Sequence, residues 1–178
     1  MTPMERAARV RLVVLDVDGV LTDGRLYYGA DGEAMKAFDV RDGHGVKLLM
    51  RAGIEVALLT ARSSAIVAVR ARELGIARVM QGQSDKAAGF EALRAATRVD
   101  ADACACMGDD WPDLAVLRRA GLAAAPADAC APVRAAAHWI ATRDGGRGAV
   151  REFAEFILRA QDRFDALLEA HLTAGDHA

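Results

Sequence analysis

Short apolar runs alternate along the chain with stretches in which apolar residues recur at helical spacing. Five of the runs are continuous and short enough to predict buried β-strands. The predicted strands cover residues 10–16, 54–60, 78–81, 103–108 and 121–125. Helices are predicted over residues 43–52, 63–74, 85–96, 112–120 and 149–169. Apolar strands that alternate with helices indicate an α/β fold in three layers, with a mostly parallel sheet covered on both faces.

One segment, residues 22–40, interrupts this alternation with the sequence TDGRLYYGADGEAMKAFDV. Leu26–Tyr28 and Ala34–Phe38 have the composition of short strands, and GADGE between them suits a turn. The pattern therefore predicts a β-hairpin insertion after the first strand, over about residues 24–40. A hairpin this short buries little apolar surface alone, so we expect it to pack against its own domain or another subunit.

Composition and charge exclude several classes of protein. The 178 residues, of which 53% are hydrophobic, suit one domain with a sizeable core, and we assign residues 1–161 to it. Residues 162–178 are assigned to the end of the last helix and a tail. The net charge of −2 predicts no basic surface for nucleic acid. No apolar run approaches the roughly 20 residues that span a bilayer, so no membrane contact is expected.

The first ten residues and the cysteines bear on location. The segment MTPMERAARV contains no apolar stretch of the kind that a secretory signal needs. Cys104 and Cys106 lie in an alternating apolar stretch without a histidine or further cysteine nearby. This setting favours reduced, packed thiols over a metal site. We therefore expect a cytoplasmic protein.

The candidate chemistry begins in the segment VVLDVDGVLTDG, which starts at Val13. Asp16 ends the first predicted strand, Asp18 follows two residues later, and Gly19 permits a tight turn. Two carboxylates at close range repel each other unless a cation or a catalytic task uses the pair. Taken alone, the segment is explained equally well as an acidic turn between a strand and a loop.

The other strand ends change this balance. The second strand ends in LLTAR, which contains Thr60, and Lys86 begins the helix after the third strand. The fourth strand runs into GDDWPD, which contains Asp109, Asp110 and Asp113. Because ligands bind beyond the carboxyl ends of parallel strands, carboxylates, a hydroxyl and an ammonium are expected to meet at one edge. Independent surface charges explain this coincidence poorly.

These groups suit phosphoryl chemistry. Mg²⁺ prefers a few carboxylates and keeps waters and substrate phosphate as its other ligands. One carboxylate can attack phosphorus to form an aspartyl-phosphate, and a second can protonate the leaving oxygen and then activate water. The hydroxyl of Thr60 and the ammonium of Lys86 can hold the phosphoryl oxygens.

Taken in order, the segments DVDGV and LLTAR, the residue Lys86 and the segment GDDWPD resemble the four motifs of the haloacid dehalogenase superfamily of phosphatases. The segments GEAMKAFDVRDGHGVKLL, QGQSDK and GGRGAVREFAEFILRAQ are similar to those of 3-deoxy-D-manno-octulosonate 8-phosphate phosphatases. The resemblance covers about residues 9–161. It implies a Rossmann-like sheet without a separate cap domain, and the segment between Gly19 and Ile54 is indeed too short for one.

The resemblance implies a role for each matching residue. Asp16 is expected to be the nucleophile and a Mg²⁺ ligand. Asp18 is expected to be the general acid and base, with its backbone carbonyl on the metal. Asp109 would be the third protein ligand, and Asp110 or Asp113 would hold a metal-bound water.

It also implies which residues contact the substrate. Thr60 and Lys86 would hold the phosphoryl group. The remaining substrate contacts would come from Asp18, Asp39, Val40, Arg41, Asp42, Gly43, Lys47, Arg62 and Arg70. From the residues alone, solvated helix charges are the favoured explanation of Lys47 and Arg70, whereas Arg62 follows a strand end.

The implied activity is Mg²⁺-dependent hydrolysis of a sugar phosphate, the eight-carbon 3-deoxy sugar acid phosphate, in lipopolysaccharide sugar synthesis. A phosphatase for a related nine-carbon sugar acid phosphate remains an alternative. A phospho-accepting signalling domain is a further one, although in receiver domains the acidic pair is adjacent, whereas Asp16 and Asp18 are spaced. A regulatory relative without activity ranks lowest, because every chemical residue is present.

The resemblance implies a homotetramer in which hairpins from four subunits pack together. The segment DGGRG, residues 144–148, would be a mobile loop brought to a neighbouring site, or equally a flexible lead-in to the last helix. Two departures from the family pattern stand out. Ala61 replaces the usual glycine of the second motif, and the proline of GDDWPD comes earlier than is common.

Overall fold

The computed structural model describes residues 1–175 as a central sheet, a separate hairpin and surrounding helices. The strands are β1 (Leu12–Leu15), β2 (Tyr27–Gly29), β3 (Gly32–Met35), β4 (Glu55–Leu59), β5 (Arg78–Met80), β6 (Cys104–Met107), β7 (Leu122–Ala125) and β8 (Trp139–Ile140). The helices are α1 (Pro3–Ala7), α2 (Val40–Arg51), α3 (Ala65–Leu74), α4 (Lys86–Thr97), α5 (Leu114–Leu117), α6 (Ala131–Ala136), α7 (Ala149–Ala160) and α8 (Phe164–Gly175). Two 3₁₀ turns lie at Ala101–Ala103 and Trp111–Asp113.

The central sheet has the order β5-β4-β1-β6-β7-β8, and all of its strand pairs are parallel. Strand β1 lies at the centre, with Leu12 in register with Glu55 on one side and Cys104 on the other. Its four residues are all buried, and alternate residues join different core clusters. The predicted three-layer α/β fold with a mostly parallel sheet is confirmed.

The two faces of the sheet carry different helices. Helices α2, α3 and α7 pack on one face, where Leu49 and Phe153 are fully buried. Helices α4, α5 and α6 cover the other face, with Phe90 at the centre of that cluster. Trp139 of β8 stacks on Phe153 at 5.2 Å between ring centroids, which ties the last strand to α7. Both faces of the sheet are therefore closed, and its carboxyl edge carries the polar loops.

Several predicted element boundaries differ from the structure. The second hairpin strand is Gly32–Met35 rather than 34–38, because the turn is only two residues long. The predicted helix 149–169 is two helices, and Asp162 in the left-handed region at φ 54° separates them. The predicted helix 112–120 is a 3₁₀ turn followed by the short α5. Of the predicted tail, residues 176–178 lie outside the described residues.

Strand β8 and helix α6 were not predicted, because neither has a clear period in the sequence. β8 is only two residues long, and α6 is a six-residue helix rich in alanine. None of the helices within residues 1–175 combines the length and apolar composition that a membrane crossing requires.

Candidate active site

Three carboxylates gather beyond the carboxyl ends of β1 and β6. Asp16 directly follows β1, Asp109 lies two residues beyond β6, and Asp113 ends the 3₁₀ turn that comes next. One oxygen from each of these three residues lies within 4.8 Å of the others. The strand-end cluster, as we call these carboxylates with Lys86, is therefore formed by residues that the sequence places at separate strand ends.

Two glycines permit this close approach. A Cβ atom at Gly19 would overlap the carboxylate of Asp109, and Gly19 has a φ of +90°, which side chains rarely adopt. A Cβ atom at Gly108 would overlap the side chain of Asp113. The absence of a side chain at Gly19 therefore lets the loop after β1 approach the loop after β6, and the absence of one at Gly108 lets Asp113 fold back within its own loop.

Lys86, the first residue of α4, holds the cluster together. Asp85 caps this helix by accepting a hydrogen bond from the backbone N–H of Ala88 at 3.0 Å. The buried ammonium of Lys86 lies 2.9 Å from Asp16 Oδ1 and 2.6 Å from Asp113 Oδ1. Its pKa is raised, because the charges and hydrogen bonds of the two carboxylates outweigh the lowering effect of burial. Lys86 is therefore a fixed cation.

Both carboxylate oxygens of Asp113 accept hydrogen bonds from other groups of the protein. Its Oδ1 accepts a hydrogen bond from Lys86, and its Oδ2 accepts from the backbone N–H groups of Asp109 at 3.1 Å and Asp110 at 3.2 Å. Asp110, in contrast, is exposed. Asp113 thus fixes Lys86 and the loop of Asp109, and the structure favours it over Asp110 for a supporting role.

The electrostatics of the cluster favour a cation. Burial, together with the charge of Asp113, raises the pKa of Asp16 to about 6. Burial, together with the charge of Asp16, raises the pKa of Asp109 to about 7. Three carboxylates face one ammonium, so an unneutralised negative charge remains. The donor set of carboxylate oxygens fits a hard divalent cation such as Mg²⁺.

Thr60 lies at the same edge of the sheet, beyond β4. The register pairs Leu15 of β1 with Leu58 of β4, so Thr60 follows on the strand next to Asp16. The residue is buried, and its hydroxyl accepts a hydrogen bond from the backbone N–H of Arg62 at 3.4 Å. Ala61 between them is exposed, so its methyl group has space at the surface.

Asp18, two residues after Asp16 in the first loop, lies in a second group of charges. Lys36, directly after β3, contacts Asp18 Oδ1, and Arg62 Nε lies 3.6 Å from Asp18 Oδ2. Glu33 of β3 joins both cations, with Oε1 at 3.0 Å from Lys36 Nζ and 3.6 Å from Arg62 Nη2. We call these four residues the hairpin cluster.

Lys36 and Glu33 were missed by the sequence analysis, which treated the hairpin only as a packing element. In the sequence, the available signal was a lysine within the predicted second hairpin strand, and the structure places this lysine directly after β3. The structure also joins Glu33 to Ser64, whose hydroxyl hydrogen bonds to Glu33 Oε2. The hairpin is therefore docked on its own chain through polar contacts.

The predicted substrate segment 39–43 lies at the start of α2. Asp39 caps this helix and pairs with Arg41 at 2.6 Å. The buried Asp42 accepts hydrogen bonds from the backbone N–H groups of Gly148 at 3.1 Å and Arg151 at 2.8 Å. Both oxygens of Asp42 thus tie α2 to the start of α7.

The other predicted substrate residues lie near α2 and α3. Val40 and Lys47 are exposed. Gly43 adjoins Arg70, whose guanidinium also lies over the ring of Phe38 at 5.7 Å. Within residues 1–175, no ion pair or hydrogen bond joins these residues to the strand-end cluster. Of the predicted substrate contacts, only Arg62, Asp18 and Lys86 belong to the two charged clusters.

The glycine-rich segment 144–148 packs against the first loop of its own chain. The backbone N–H of Gly146 donates to the carbonyl of Val20 at 2.9 Å. Cβ atoms at Gly145 and Gly146 would overlap backbone atoms of Gly19 and Thr22. The segment therefore packs on the first loop of its own chain, and its contact with a neighbouring site stays a prediction.

Comparisons with known proteins agree with this geometry. A family model described as haloacid dehalogenase-like hydrolase matches residues 59–153. The 3-deoxy-D-manno-octulosonate 8-phosphate phosphatase KdsC of Yersinia pestis is 43% identical over 162 residues, which are 91% of this chain and 87% of that protein. A probable yrbi family phosphatase of Pseudomonas syringae has a TM-score of 0.93 and 45% identity, covering 96% of this chain and 97% of that one.

A further solved structure is that of 3-deoxy-D-manno-octulosonate 8-phosphate phosphatase from Moraxella catarrhalis, in complex with a magnesium ion, a phosphate ion and KDO. It has a TM-score of 0.92 and 42% identity, and the match covers 95% of this chain and 97% of that one. Identity at this level across nearly the whole length shows the family as well as the fold. The chain belongs to the haloacid dehalogenase-like hydrolases, in the group of 3-deoxy-D-manno-octulosonate 8-phosphate phosphatases.

Proposed function

We propose that this chain hydrolyses 3-deoxy-D-manno-octulosonate 8-phosphate to 3-deoxy-D-manno-octulosonate and inorganic phosphate. The observation that carries the proposal is the strand-end cluster, in which Asp16, Asp109 and Asp113 converge beside the fixed cation Lys86. The 42% identical relative from Moraxella catarrhalis, solved with magnesium, phosphate and KDO, supports the choice of substrate. The reaction would serve lipopolysaccharide sugar synthesis.

The metal ligands in this proposal are the carboxylates of Asp16 and Asp109 and the backbone carbonyl of Asp18. These oxygens suit Mg²⁺, which when bound supplies positive charge to the phosphoryl oxygens. Asp113 holds Lys86 and the backbone of residues 109 and 110, and it remains close enough to hold a metal-bound water. Asp110 is exposed whereas Asp113 is buried and bonded to Lys86, so we assign this supporting role to Asp113.

The first chemical step forms a bond between a carboxylate oxygen of Asp16 and phosphorus, while the bond from phosphorus to the sugar oxygen breaks. Lys86 lies 2.9 Å from Asp16, so its ammonium is placed to stabilise the transferring phosphoryl oxygens. Thr60 offers its hydroxyl from the neighbouring strand end. The product of this step is an aspartyl-phosphate on Asp16.

Asp18 moves the protons in both steps. Its carboxyl group protonates the departing sugar oxygen in the first step, and its carboxylate then accepts a proton from the water that attacks the aspartyl-phosphate. The second step releases phosphate and restores Asp16. Asp18 is suited to this work because it lies two residues beyond the nucleophile, on the side of the hairpin.

The sugar acid brings a carboxylate and several hydroxyl groups to the site. Arg62 is the best-placed cation for it, because its guanidinium lies beside Asp18, where the leaving group departs. The segment of residues 39–43 together with Lys47 and Arg70 is proposed to complete the substrate site. Residues 39–43 form the start of α2, Lys47 lies further along it, and Arg70 of α3 adjoins Gly43.

We also propose that the active form is a homotetramer located in the cytoplasm. Leu26, Tyr28, Met35 and Val40, in and beside the hairpin, all expose large apolar side chains, and the exposure of Tyr28 is 63%. A neighbouring copy would cover them. The three cysteines are free thiols, which accords with a reducing compartment.

The test of the proposed function is phosphate release from a panel of sugar phosphates, with Mg²⁺ and with a chelator. The panel contains the eight-carbon and nine-carbon 3-deoxy sugar acid phosphates and ordinary hexose phosphates. We expect Mg²⁺-dependent release with a clear preference for the eight-carbon acid. A preference for the nine-carbon compound would contradict the proposed substrate but not the proposed phosphatase reaction. If no compound released phosphate, the proposed function itself would be contradicted.

A further inference from the structure

The buried ammonium of Lys36 is the feature that the proposed chemistry leaves unused. Its side chain is only 1% exposed, although it belongs to a hairpin whose other side chains are mostly exposed. It contacts Asp18 Oδ1 and lies 3.0 Å from Glu33 Oε1. Burying a lysine is unfavourable unless its charge is paired, and here two carboxylates pair it.

The contact with Asp18 links two parts of the chain that serve different purposes. Asp18 lies in the loop after β1, where the adjacent Gly19 packs closely against the side chain of Asp109. Lys36 lies at the end of β3, and Glu33 and Ser64 anchor that strand to α3. The lysine is thus held from two sides, by Asp18 and by Glu33.

From this geometry we infer that Lys36 is a positioning residue, which holds the carboxyl group of Asp18 in the direction of the leaving oxygen. A free aspartate side chain samples several rotamers, and general acid catalysis requires one of them. Arg62 contacts the other oxygen at the longer distance of 3.6 Å, so Lys36 is the closer of the two cations. The inference rests on the proposed role of Asp18 in phosphate release and not on the identity of the sugar.

The inference predicts different effects on kcat/KM for substrates with different leaving groups. A sugar alkoxide needs a proton to depart, whereas p-nitrophenolate departs without one. The parameter kcat/KM reports only the steps up to the departure of the alcohol or phenol. A misplaced Asp18 therefore lowers kcat/KM for the sugar phosphate and leaves kcat/KM for p-nitrophenyl phosphate nearly unchanged.

The experiment compares Lys36→Met with the unaltered protein on both substrates. We expect kcat/KM to fall about 10- to 100-fold for the sugar phosphate and less than about 3-fold for p-nitrophenyl phosphate. Lys36→Arg, which keeps a cation, should recover most of the loss. Arg25→Met is the matched control, because it removes a mostly exposed cation of the same segment that contacts Asp23 and not Asp18.

A double substitution excludes a purely structural role. Asp18→Asn alone should reproduce the selective loss on the sugar phosphate, and adding Lys36→Met should change the ratio of the two kcat/KM values no further. An equal loss on both substrates, or a further change of the ratio in the double variant, would overturn the inference.

Thermal unfolding of each variant reports whether the fold is retained. An unaltered protein that hydrolyses p-nitrophenyl phosphate but not the sugar acid phosphate would contradict the proposed substrate alone. The Lys36 comparison then uses an alkyl phosphate that the protein does accept, so the two failures remain distinct.

Discussion

The strand-end cluster and the hairpin cluster lie side by side but differ in charge balance. Three carboxylates and one ammonium form the first, and the pKa values of Asp16 and Asp109 are raised there, first by burial and then by neighbouring carboxylates. Two carboxylates and two cations form the second, and the pKa of Glu33 is lowered, mainly by its hydrogen bond with Ser64. The first cluster therefore requires a further cation, whereas the second is complete within the protein.

This difference separates two tasks of a phosphatase. A site that must bind a metal ion and an anionic substrate benefits from charge that the protein leaves unneutralised. A group that only transfers protons benefits from being held in one direction by permanent partners. The comparison predicts that substitutions in the strand-end cluster lower turnover of every substrate, whereas substitutions of Lys36 and Glu33 in the hairpin cluster change selectivity or stability.

The largest effect is expected from Asp16→Asn. An amide is nearly isosteric with the carboxylate but cannot attack phosphorus, so phosphate release should fall by about 10⁴-fold or more. Thermal unfolding and gel filtration should show a retained fold and assembly. Turnover within about 10-fold of the unaltered protein would contradict the role of Asp16 as nucleophile.

The next largest effect is expected from Lys86→Met. It removes the one ammonium of the strand-end cluster, and kcat/KM should fall by about 10²- to 10³-fold for both aryl and sugar phosphates. The comparison with Lys36→Met is informative, because both variants remove a buried lysine and only one should discriminate between leaving groups. If Lys86→Met lowered kcat/KM for the sugar phosphate alone, the proposed difference in role between the two clusters would be contradicted.

Mg²⁺ should stabilise the protein more at alkaline than at acidic pH. Because the pKa values of Asp16 and Asp109 are raised to about 6 and about 7, the folded protein binds protons there more tightly than the unfolded chain does. That contribution to stability is complete below the unfolded pKa near 4 and is lost as pH rises through about 6 to 7. Bound Mg²⁺ then takes the place of the protons.

Calorimetry with Mg²⁺ and with a chelator measures this effect. The increase in melting temperature caused by Mg²⁺ should grow by a few degrees between about pH 5 and about pH 8. In Asp109→Asn, which lacks one proposed metal ligand, the increase in melting temperature caused by Mg²⁺ should change much less with pH. An increase that is equal at both pH values would show that the cluster does not exchange protons for the metal.

The smallest effect is expected from Glu33→Gln. It removes one carboxylate from the hairpin cluster and leaves Lys36 its contact with Asp18. Because the pKa of Glu33 is lowered in the folded protein, its contribution is present above the unfolded pKa and is lost as pH falls through the folded value. At neutral pH we expect a loss of about 1 kcal/mol or less in the free energy of unfolding.

Chemical denaturation at neutral and at acidic pH checks this prediction, and the difference between the two proteins should shrink in acid. A loss of several kcal/mol, or a fall in phosphate release that matches Lys86→Met, would show that Glu33 belongs to the machinery of turnover.

The sequence predicted the strand-end cluster because its residues stand at the ends of recognisable strands. Asp16, Thr60 and Asp109 each follow a buried apolar run, and the parallel sheet brings such ends to one edge. Lys86 was found in the same way, at the start of a helix with a capping aspartate before it. Local pattern and a simple topological rule were sufficient here.

The hairpin cluster could not be predicted by the same argument. The contact between Asp18 and Lys36 depends on how a three-residue strand and a four-residue strand pair and where they dock. Such short strands carry little periodicity, and the predicted second strand was shifted by two residues. The position of Lys36 relative to the first loop is thus a tertiary property that no local pattern encodes.

The same limit explains the other differences. The break between α7 and α8 coincides with Asp162 in the left-handed region, a conformation that aspartate tolerates better than most residues but that the local sequence does not specify. The packing of Gly145 and Gly146 on the first loop likewise joins residues more than a hundred positions apart. Both features had a local sequence that was compatible with several conformations.

The most direct test of the account is to trap the phosphoryl group on Asp16. In Asp18→Asn, p-nitrophenyl phosphate can still transfer its phosphoryl group, but the water that should remove it lacks a base. Rapid acid quenching with Mg²⁺ present, followed by mass spectrometry of the peptide that contains residue 16, should show one phosphoryl group on Asp16 and none with chelator. A phosphoryl group on another residue, or none on Asp16 while nitrophenolate is released, would contradict the division of labour between the two clusters.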